Sequence, residues 1–511
     1  MDDSGLPQGW QMVALDEVCE VIQGQSPPGD TYNDSGDGIP FFQGKAEFGP
    51  VYPTVAKWCS SPTKIAESDD VLISIRAPVG PTNMCPVRAC IGRGLAAIHP
   101  LCGIPSRYVL YALRDSESDL ASKGTGSTFA AISGAELRSH RITLAPLPTQ
   151  HRIVAEIERQ LTRLDAAAAA LKRVQANLKR YRASVLKAAC EGRLVPTEAD
   201  LARAEGRDYE PADRLLARIL KERRARWESD QLAKMQAAGK PPKDEKWKAK
   251  YPEAATPDTS RLPDLSEGWV WATMPQLGEL NRGKSKHRPR DDPKLYGGPY
   301  PFIQTGDVKH SNGRVRTHSQ TYSELGLAQS RLWPEGTLCI TIAANIAETG
   351  ILSYPACFPD SVVGFLFDGL PTLVRFVELF LRTARESLER FAPATAQKNI
   401  NLEILSRVGI PLPPLVEQER VVAEVESRLS AVEIIEISLG SSLKRANRLR
   451  QAILKRAFEG RLVPQDPNDE PAGALLERIG FERAKLDQAA KRAKGDMRRP
   501  SRRSAKTEIF A

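Results

Sequence analysis

A 47-residue segment of this chain occurs twice, and the second copy aligns with the first without a gap. The first copy runs from Gln150 to Pro196 and the second from Gln418 to Pro464, so the residue numbers differ by a constant offset of 268. Solenoid repeats have periods of roughly 20–50 residues. A period this long therefore indicates that half of the protein has been duplicated.

Each copy is predicted to be one long helix. No proline lies between Pro148 and Pro196, and no glycine occurs there before Gly192. Apolar residues recur every seven positions in both copies, which is the pattern of a coiled-coil seam. At about 1.5 Å per residue, each helix should be roughly 60–70 Å long. The seam residues are Ile157, Leu164, Leu171, Leu178 and Val185 in the first copy and Val425, Val432, Leu439, Ala446 and Ile453 in the second.

A helix docked on an ordinary core is the alternative interpretation, but two matched helices on one chain can pair with each other. Gly440 is expected to weaken the second helix and to bend it.

The length of 511 residues is too great for a single core, so we expect several domains. Short β-like runs separated by Gly and Pro indicate an α+β fold for the globular parts. Residues 265–412 repeat 1–148 only loosely, whereas the helices are much alike. The predicted segments are a globular unit 1–148, a helix 149–196, a charged helical arm and linker 197–264, a second globular unit 265–412, a helix 413–464 and a basic, disordered tail 465–511.

The net charge of +9 and the pI of about 9.1 favour an anionic partner. The eight cysteines form no C-x-x-C pair, and no His/Cys cluster has the spacing of a zinc site, so no metal is expected. The polar N-terminus and the absence of a long apolar run predict a cytoplasmic protein without a membrane contact.

One segment satisfies the Walker A pattern of nucleotide-binding P-loops, Gly278 to Ser285. A P-loop requires a helix directly after it, so that the helix amides bind phosphate. The following residues include Pro289 and Pro293, which disfavour a helix there. We therefore prefer a basic loop that contacts nucleic acid, and keep a P-loop protein as the alternative.

Other enzyme motifs are missing from the sequence, so we expect no catalytic residue in this chain. Basic and amide side chains in loops of the two globular units are instead candidates for DNA contacts, because such groups bind phosphates and base edges. A plain loop is an equally good interpretation for 123–128 and 394–399. The candidates are Gln25, Gln43, Lys45, Arg76, Arg93, Lys123, Thr125 and Ser127 in the first globular unit, and Arg282, Lys284, Lys286, Arg288, Gln304, Lys309, Asn345, Gln397, Lys398 and Asn399 in the second.

Two signatures begin and end the repeated segments: Leu147–Glu158 with Glu191–Leu194 in the first half, and Leu415–Glu426 with Glu459–Leu462 in the second. With these signatures, the order of the segments resembles the specificity subunit of type I restriction-modification systems. The resemblance covers roughly residues 1–464.

The resemblance implies two target recognition domains separated by two long antiparallel helices in a pseudo-two-fold repeat. Each domain is expected to read one half of a split site in double-stranded DNA, while the helices set the spacer and dock two methyltransferase subunits. Motor-nuclease subunits are expected to join for cleavage. S-adenosylmethionine and ATP with Mg²⁺ are expected on those partners and no cofactor on this chain. A scaffold whose globular units bind protein instead of DNA is a further alternative.

Overall fold

The repeated segments form two helices of 44 residues each in the computed structural model, which describes residues 5–124, 131–240, 242, 244–260, 262–286, 289, 291–343, 345–367, 371–390 and 400–497. In chain order the helices are α1 (Leu15–Val18), α2 (Ser106–Asp115), α3 (Glu117–Ser122), α4 (Gly134–Arg138), α5 (Leu147–Cys190), α6 (Glu198–Glu205), α7 (Ala212–Ala237), α8 (Met274–Leu277), α9 (Thr305–Lys309), α10 (Glu324–Ala328), α11 (Pro371–Arg390), α12 (Leu402–Ser406), α13 (Leu415–Phe458) and α14 (Ala472–Met497).

The predicted long helices are confirmed, and both ends of α5 and α13 keep the constant offset of the sequence repeat. Gly440 does not interrupt α13. The chain divides into two compact units: the first unit comprises residues 1–172 and 440–511, and the second comprises 173–439. Each long helix therefore contributes one part to each unit.

In both units the early part of one long helix packs against the late part of the other. In the first unit, Ile153 and Ile157 of α5 share a core with Leu454 and Phe458 of α13. In the second unit, Val185 and Leu186 of α5 share a core with Val421 and Val425 of α13. The helices are therefore antiparallel, and the prediction of a paired, coiled-coil-like arrangement is confirmed.

The globular part of the first unit contains eleven strands within its described residues. Its three sheets have the orders β1-β11, β2-β10-β7-β8 and β3-β5-β4-β9-β6. The strands are β1 (Gln11–Ala14), β2 (Cys19–Gln23), β3 (Tyr32–Asn33), β4 (Ile39–Phe42), β5 (Lys57–Cys59), β6 (Ile65–Ala66), β7 (Val71–Ser74), β8 (Thr82–Met84), β9 (Ala89–Ile91), β10 (Leu95–Pro100) and β11 (Arg141–Leu144).

The globular part of the second unit has a related but different sheet arrangement. Its described sheets have the orders β12-β20, β13-β19-β17-β18-β15 and β14-β16. The α+β prediction is thus confirmed in both units. The strands are β12 (Val270–Thr273), β13 (Glu279–Arg282), β14 (Tyr296–Phe302), β15 (Gly313–Val315), β16 (Gln320–Tyr322), β17 (Leu338–Thr341), β18 (Thr349–Leu352), β19 (Val362–Leu366) and β20 (Gly409–Leu412).

The segment after each long helix returns to a globular core. The prediction of a disordered tail over 465–511 is wrong for Ala472–Met497, which is α14. Its first turns place Ala472, Leu475 and Ile479 in the core of the first unit. The amide of Ala472 donates to the carbonyl of Gly9 at 2.8 Å. Because the tail is rich in basic residues, its sequence pattern did not reveal the apolar stripe through which this helix is buried. Residues 498–511 lie outside the described residues.

The arm at 197–264 follows the same plan in the second unit. Ala212, Leu215 and Ile219 of α7 are buried in the main core, and the amide of Ala212 donates to the carbonyl of Gly268 at 2.8 Å. Within this segment α6 and α7 are helical, and the first turns of α7 are packed because their apolar face covers the sheet.

The arm continues through the rest of α7 and a 3-10 helix at Lys246–Lys250, and its last part contacts the same unit. The carbonyl of Ala255 accepts a hydrogen bond from the Thr273 hydroxyl at 2.8 Å, and the carbonyl of Pro263 accepts one from the indole of Trp271 at 3.3 Å.

Candidate nucleic-acid interface

In the first unit, the backbone at Gly24 crosses close to the backbone at Gly92. This glycine-rich crossing brings several of the predicted DNA-binding residues together. The amide of Gly24 donates to the carbonyl of Leu95 at 2.9 Å, and the amide of Gly92 donates to the carbonyl of Phe42 at 2.8 Å. A Cβ at Gly24 would lie 2.2 Å from the Gly92 oxygen, so the two backbones can approach this closely only without a side chain there.

Four candidates surround this crossing and are exposed: Gln25, Gln43, Arg76 and Arg93. The amide of Gln25 donates to the carbonyl of Ile91 at 3.1 Å, and the amide of Arg93 lies 3.4 Å from the Ser26 hydroxyl. Side chains with this exposure and chemistry can contact base edges and phosphates.

Lys45 and Arg76 extend the same edge. Lys45 is exposed at the start of a 3-10 turn that runs to Glu47, two residues after Gln43. Arg76 forms an isolated bridge with Ala131 and follows Ile75, whose amide donates to the carbonyl of Gly94 at 3.0 Å. These contacts group five of the eight candidates of this unit.

Lys123 is engaged elsewhere in the unit. Its ammonium lies 2.9 Å from an oxygen of Asp119 and 3.4 Å from Nδ1 of His140. Burial, followed by the charge of Lys123, lowers the pKa of His140 to about 4. The lysine is thus paired within its own unit. Thr125 and Ser127 lie outside the described residues.

The second unit repeats the crossing with different side chains. The amide of Gly283 donates to the carbonyl of Val362 at 2.9 Å, and the amide of Ile303 donates to that of Cys357 at 2.8 Å. The next residues along the chain are Lys284 and Gln304, which occupy the places of Gln25 and Gln43. The first place therefore changes from an amide to a lysine, whereas the second keeps a glutamine.

The other described candidates of the second unit are spread over its loops and the ends of β13 and α9. The Gln304 amide group donates to Oε1 of Gln320 at 2.6 Å, and the backbone amide of Lys286 donates to Oε1 of Gln329 at 2.5 Å. The carbonyl of Asn345 accepts from the Thr341 hydroxyl. Arg282 at the end of β13 and Lys309 at the end of α9 are exposed. Arg288, Gln397, Lys398 and Asn399 lie outside the described residues, and all of these DNA contacts remain predictions.

The P-loop interpretation of Gly278–Ser285 is wrong. This segment begins at the end of α8 and continues through β13, so it contains a strand where a P-loop has its phosphate-binding turn. The amide of Gly283 is already bonded to Val362. No helix starts in the described residues up to Lys286, in accordance with the prolines that follow.

The predicted seam residues of the long helices all lie on protected faces. Ile157, Val185, Val425, Val432 and Leu439 are buried, and the others are partly buried. Exposed apolar side chains occupy other faces, with Ile434 and Ile437 each 69% exposed. The seam therefore holds the helices, and any partner must contact the remaining faces.

The signature residues at the start of each long helix are structural. The Gln150 side chain donates to the carbonyl of Ala145 at 2.8 Å, and Gln418 donates to Pro413 at 2.9 Å. Both glutamines are fully buried. They join the last strand of the globular part to the helix in the same way in both units.

The signature glycine at the other end of each long helix is also required by the local geometry. Gly192 and Gly460 have φ of 66° and 70°. A Cβ at Gly460 would lie 2.2 Å from Cγ of Pro7. These positions need glycine because of both backbone conformation and space.

Sequence reasoning missed a second repeated pattern, on the helix of each globular part that lies closest to the long helices. Residues 107–114 read RYVLYALR and residues 375–382 read RFVELFLR, again at an offset of 268. Extending the gap-free alignment upstream of Pro148 would have found it.

Within the described residues, no group of three or more His, Cys, Asp or Glu side chains could hold a metal ion. None of the described helices combines the length and the apolar character needed to cross a membrane.

Comparison with known proteins gives a family. The family model described as the type I restriction modification DNA specificity domain matches residues 7–179 and 266–439. A putative type I restriction enzyme MjaX specificity subunit from Methanocaldococcus jannaschii is 40% identical over 156 residues, which are 30% of this chain and 37% of that protein.

A second relative aligns over almost the whole length. The type I restriction enzyme EcoDI specificity subunit of Escherichia coli is 22% identical over 496 residues, 95% of this chain and 97% of that protein. Among solved structures, the HsdS subunit from Thermoanaerobacter tengcongensis is 18% identical, with a TM-score of 0.48 over 89% of this chain and 98% of that one. Because the family model matches two separate segments that together exceed half of the sequence, the chain belongs to the type I restriction modification DNA specificity domain family.

Proposed function

We propose that this protein is the DNA specificity subunit of a type I restriction-modification complex. One observation carries the proposal: the two long helices begin and end at matched residues, whereas the globular parts attached to them differ in sheet order and carry Gln25 in one and Lys284 in the other at the same place of the crossing. A chain built in this way presents two different recognition domains on two equivalent helices.

Each globular part would read one half of a bipartite site in double-stranded DNA. Lysine and arginine side chains supply affinity through phosphates, and base-edge contacts supply sequence choice. Gln25, Gln43 and Arg93 in the first unit, and Lys284 and Gln304 in the second, are the residues we expect at the DNA.

The paired helices would act as a spacer of fixed length. A coiled-coil seam resists bending, so the half-sites would be separated by a constant number of base pairs. The two equivalent outer faces of the helices suit two copies of the same partner, and we propose methyltransferase subunits there. Motor-nuclease subunits would join the same complex, which we place in the cytoplasm.

The catalysed reactions would take place on the partner subunits. S-adenosylmethionine would bind the methyltransferases, and ATP with Mg²⁺ would bind the motor-nuclease subunits. Methylation of an adenine requires that the base leave the stack, and this chain would supply only the position at which this occurs.

The test is single-molecule methylation mapping in cells that express this chain with its methyltransferase, with and without the globular residues 1–148. We expect a two-part methyladenine motif that loses its specificity on truncation. If soluble, assembled subunits give no new methylation, the scaffold alternative is favoured. Salt-sensitive, sequence-dependent DNA binding by the assembled complex would exclude the scaffold.

A further inference from the structure

An ion pair joins the globular part to a long helix in each unit, and the two pairs occupy equivalent positions. Nη1 of Arg107 lies 2.7 Å from Oε1 of Glu158 in the first unit. Nε of Arg375 lies 2.8 Å from Oε1 of Glu426 in the second. The two arginines stand at the offset of the sequence repeat, and so do the two glutamates. The same contact is therefore made twice between different globular parts and similar helices.

The helix that carries each arginine is anchored in its own globular part. Seven residues after Arg107, Nε of Arg114 donates to the Thr82 hydroxyl at 3.2 Å. Seven residues after Arg375, Arg382 pairs with Glu378 of the same helix, and the fully buried Glu378 accepts a hydrogen bond from the Thr349 hydroxyl of β18 at 3.1 Å, which ties this helix to the sheet. A spacing of seven places both arginines on one helix face. One end of that face holds the globular part and the other holds the long helix.

A further side chain of the globular part reinforces each pair, Tyr52 from a loop in the first unit and Arg314 from β15 in the second. Nη2 of Arg107 lies 3.4 Å from the Tyr52 hydroxyl. In the second unit, Nη2 of Arg314 lies 3.3 Å from the oxygen of Glu426 that also binds Arg375. Burial raises the pKa of Glu426, but hydrogen bonds from Arg375 and Arg314 outweigh this and hold it below its usual value. The glutamate therefore stays charged.

The glutamate of each pair is too exposed for the pair to add much to folding stability, although Arg375 is only 13% exposed and also pairs with the buried Glu378 at 2.7 Å. The glutamates are 38% and 41% exposed, and exposed ion pairs contribute about 0–1 kcal/mol to stability. Two domains with different targets have no reason to share base-reading residues. A geometric requirement that is common to both halves explains why the same pair occurs twice.

We propose that Arg107–Glu158 and Arg375–Glu426 are matched positioning pairs that fix the angle of each recognition domain on its long helix. The proposal rests on the proposed function and adds which residues set the register between half-site and spacer. Base contacts need their geometry within a few tenths of an ångström. A domain that can rotate about its helix should accept DNA in which the half-site is displaced.

The experiment uses the full chain with its methyltransferase subunits and a plasmid library in which the spacer length and both half-sites vary. Glu158→Gln and Glu426→Gln remove one charge each. Glu156→Gln and Glu424→Gln are the matched controls, because these glutamates pair with Arg159 and Arg428 of their own helix at 2.6 Å. The charge swap Arg107→Glu with Glu158→Arg tests for rescue.

We expect Glu158→Gln to raise methylation of sites with a wrong spacer, relative to the right spacer, by about three- to tenfold, which corresponds to about 0.7–1.4 kcal/mol. Its relaxed base choice should be limited to the half-site read by the first unit, and Glu426→Gln should affect only the other half-site. The controls should match the wild type, and the charge swap should restore the spacer profile.

An unchanged spacer profile and half-site choice in both glutamine variants, with the wild type active, would overturn this proposal alone. A uniform loss of methylation that the charge swap does not restore would also overturn it, since that outcome indicates a folding role. The absence of a bipartite motif in the wild type would overturn the proposed function, and this proposal with it.

Discussion

Nη2 of Arg152 lies 2.5 Å from Oδ2 of Asp469, so the start of the first long helix is bonded to the segment that follows the end of the second. The second unit contains the reciprocal contact, in which Nη1 of Arg420 lies 2.6 Å from Oε2 of Glu198. Both arginines belong to the repeated signature and stand at matched positions in it. Each long helix is thus tied at its start to the chain that leaves the other helix.

Replacing Arg152 with Met should destabilise the first unit by about 2–4 kcal/mol. The Asp469 side chain is only 8% exposed, and without Arg152 its carboxylate loses its countercharge and keeps the hydrogen bond from the Thr149 hydroxyl. Urea denaturation of the purified chain would measure the change. Arg159→Met is the control, because Arg159 is 50% exposed and pairs only within its helix. Equal effects from both substitutions would contradict the structural role of Arg152.

Two truncations distinguish the contribution of α14 to stability from that of residues 498–511. Removal of residues 472–511 exposes the pocket filled by Ala472, Leu475 and Ile479. The buried apolar side chains contribute about 1.5–3 kcal/mol each, so we expect a loss of at least about 4 kcal/mol or an insoluble chain. Removal of 498–511 should leave the unfolding temperature unchanged. If both truncations are tolerated equally, α14 does not stabilise the first unit.

Two glycines, one inside the second long helix and one just after its end, should respond oppositely to alanine. Gly440 lies inside α13 with no atom within 4 Å of its Cβ position, so Gly440→Ala should stabilise the chain by about 1 kcal/mol. Gly460 has φ of 70° and Pro7 in the way, so Gly460→Ala should destabilise it by more than that. Calorimetric unfolding of the two variants measures the difference. A stabilising Gly460→Ala would show that its helix end is not held against Pro7.

The sequence was sufficient for the helices because their seam repeats many times, and the glycines and prolines that end them are local signals. The buried half of α14 was not predicted, since Leu475 and Ile479 stand among charged residues, and only the core they enter distinguishes them from a solvated tail. The ion pair between Arg107 and Glu158 could not be predicted from the sequence either. The two residues are far apart in sequence, and only the tertiary fold brings a globular helix to the long one.

The proposed DNA contact of Lys284, which lies in the segment Gly278–Ser285 that matches the Walker A pattern, can be tested directly. Lys284→Ala should weaken DNA binding by the assembled complex and reduce the slope of log affinity against log salt by about one, because one phosphate contact is lost. Lys234, exposed on α7, is the control for a general charge effect. Neither the wild type nor the variant should bind ATP. Saturable ATP binding that depends on Lys284 would contradict the strand and hydrogen bonding seen for this segment.

Shortening both long helices together tests their role as a spacer. Removal of residues 168–174 and 436–442 deletes one matched heptad from each helix and preserves the antiparallel seam. Each helix loses about 10 Å, equal to about three base pairs of DNA. Methylation of the original bipartite site should therefore cease, and any remaining activity should appear at a shorter spacer. A variant with alanine at exposed Val174, without a deletion, should keep the wild-type site. An unchanged spacer with full activity after the double deletion would show that something other than the helices measures the distance between half-sites.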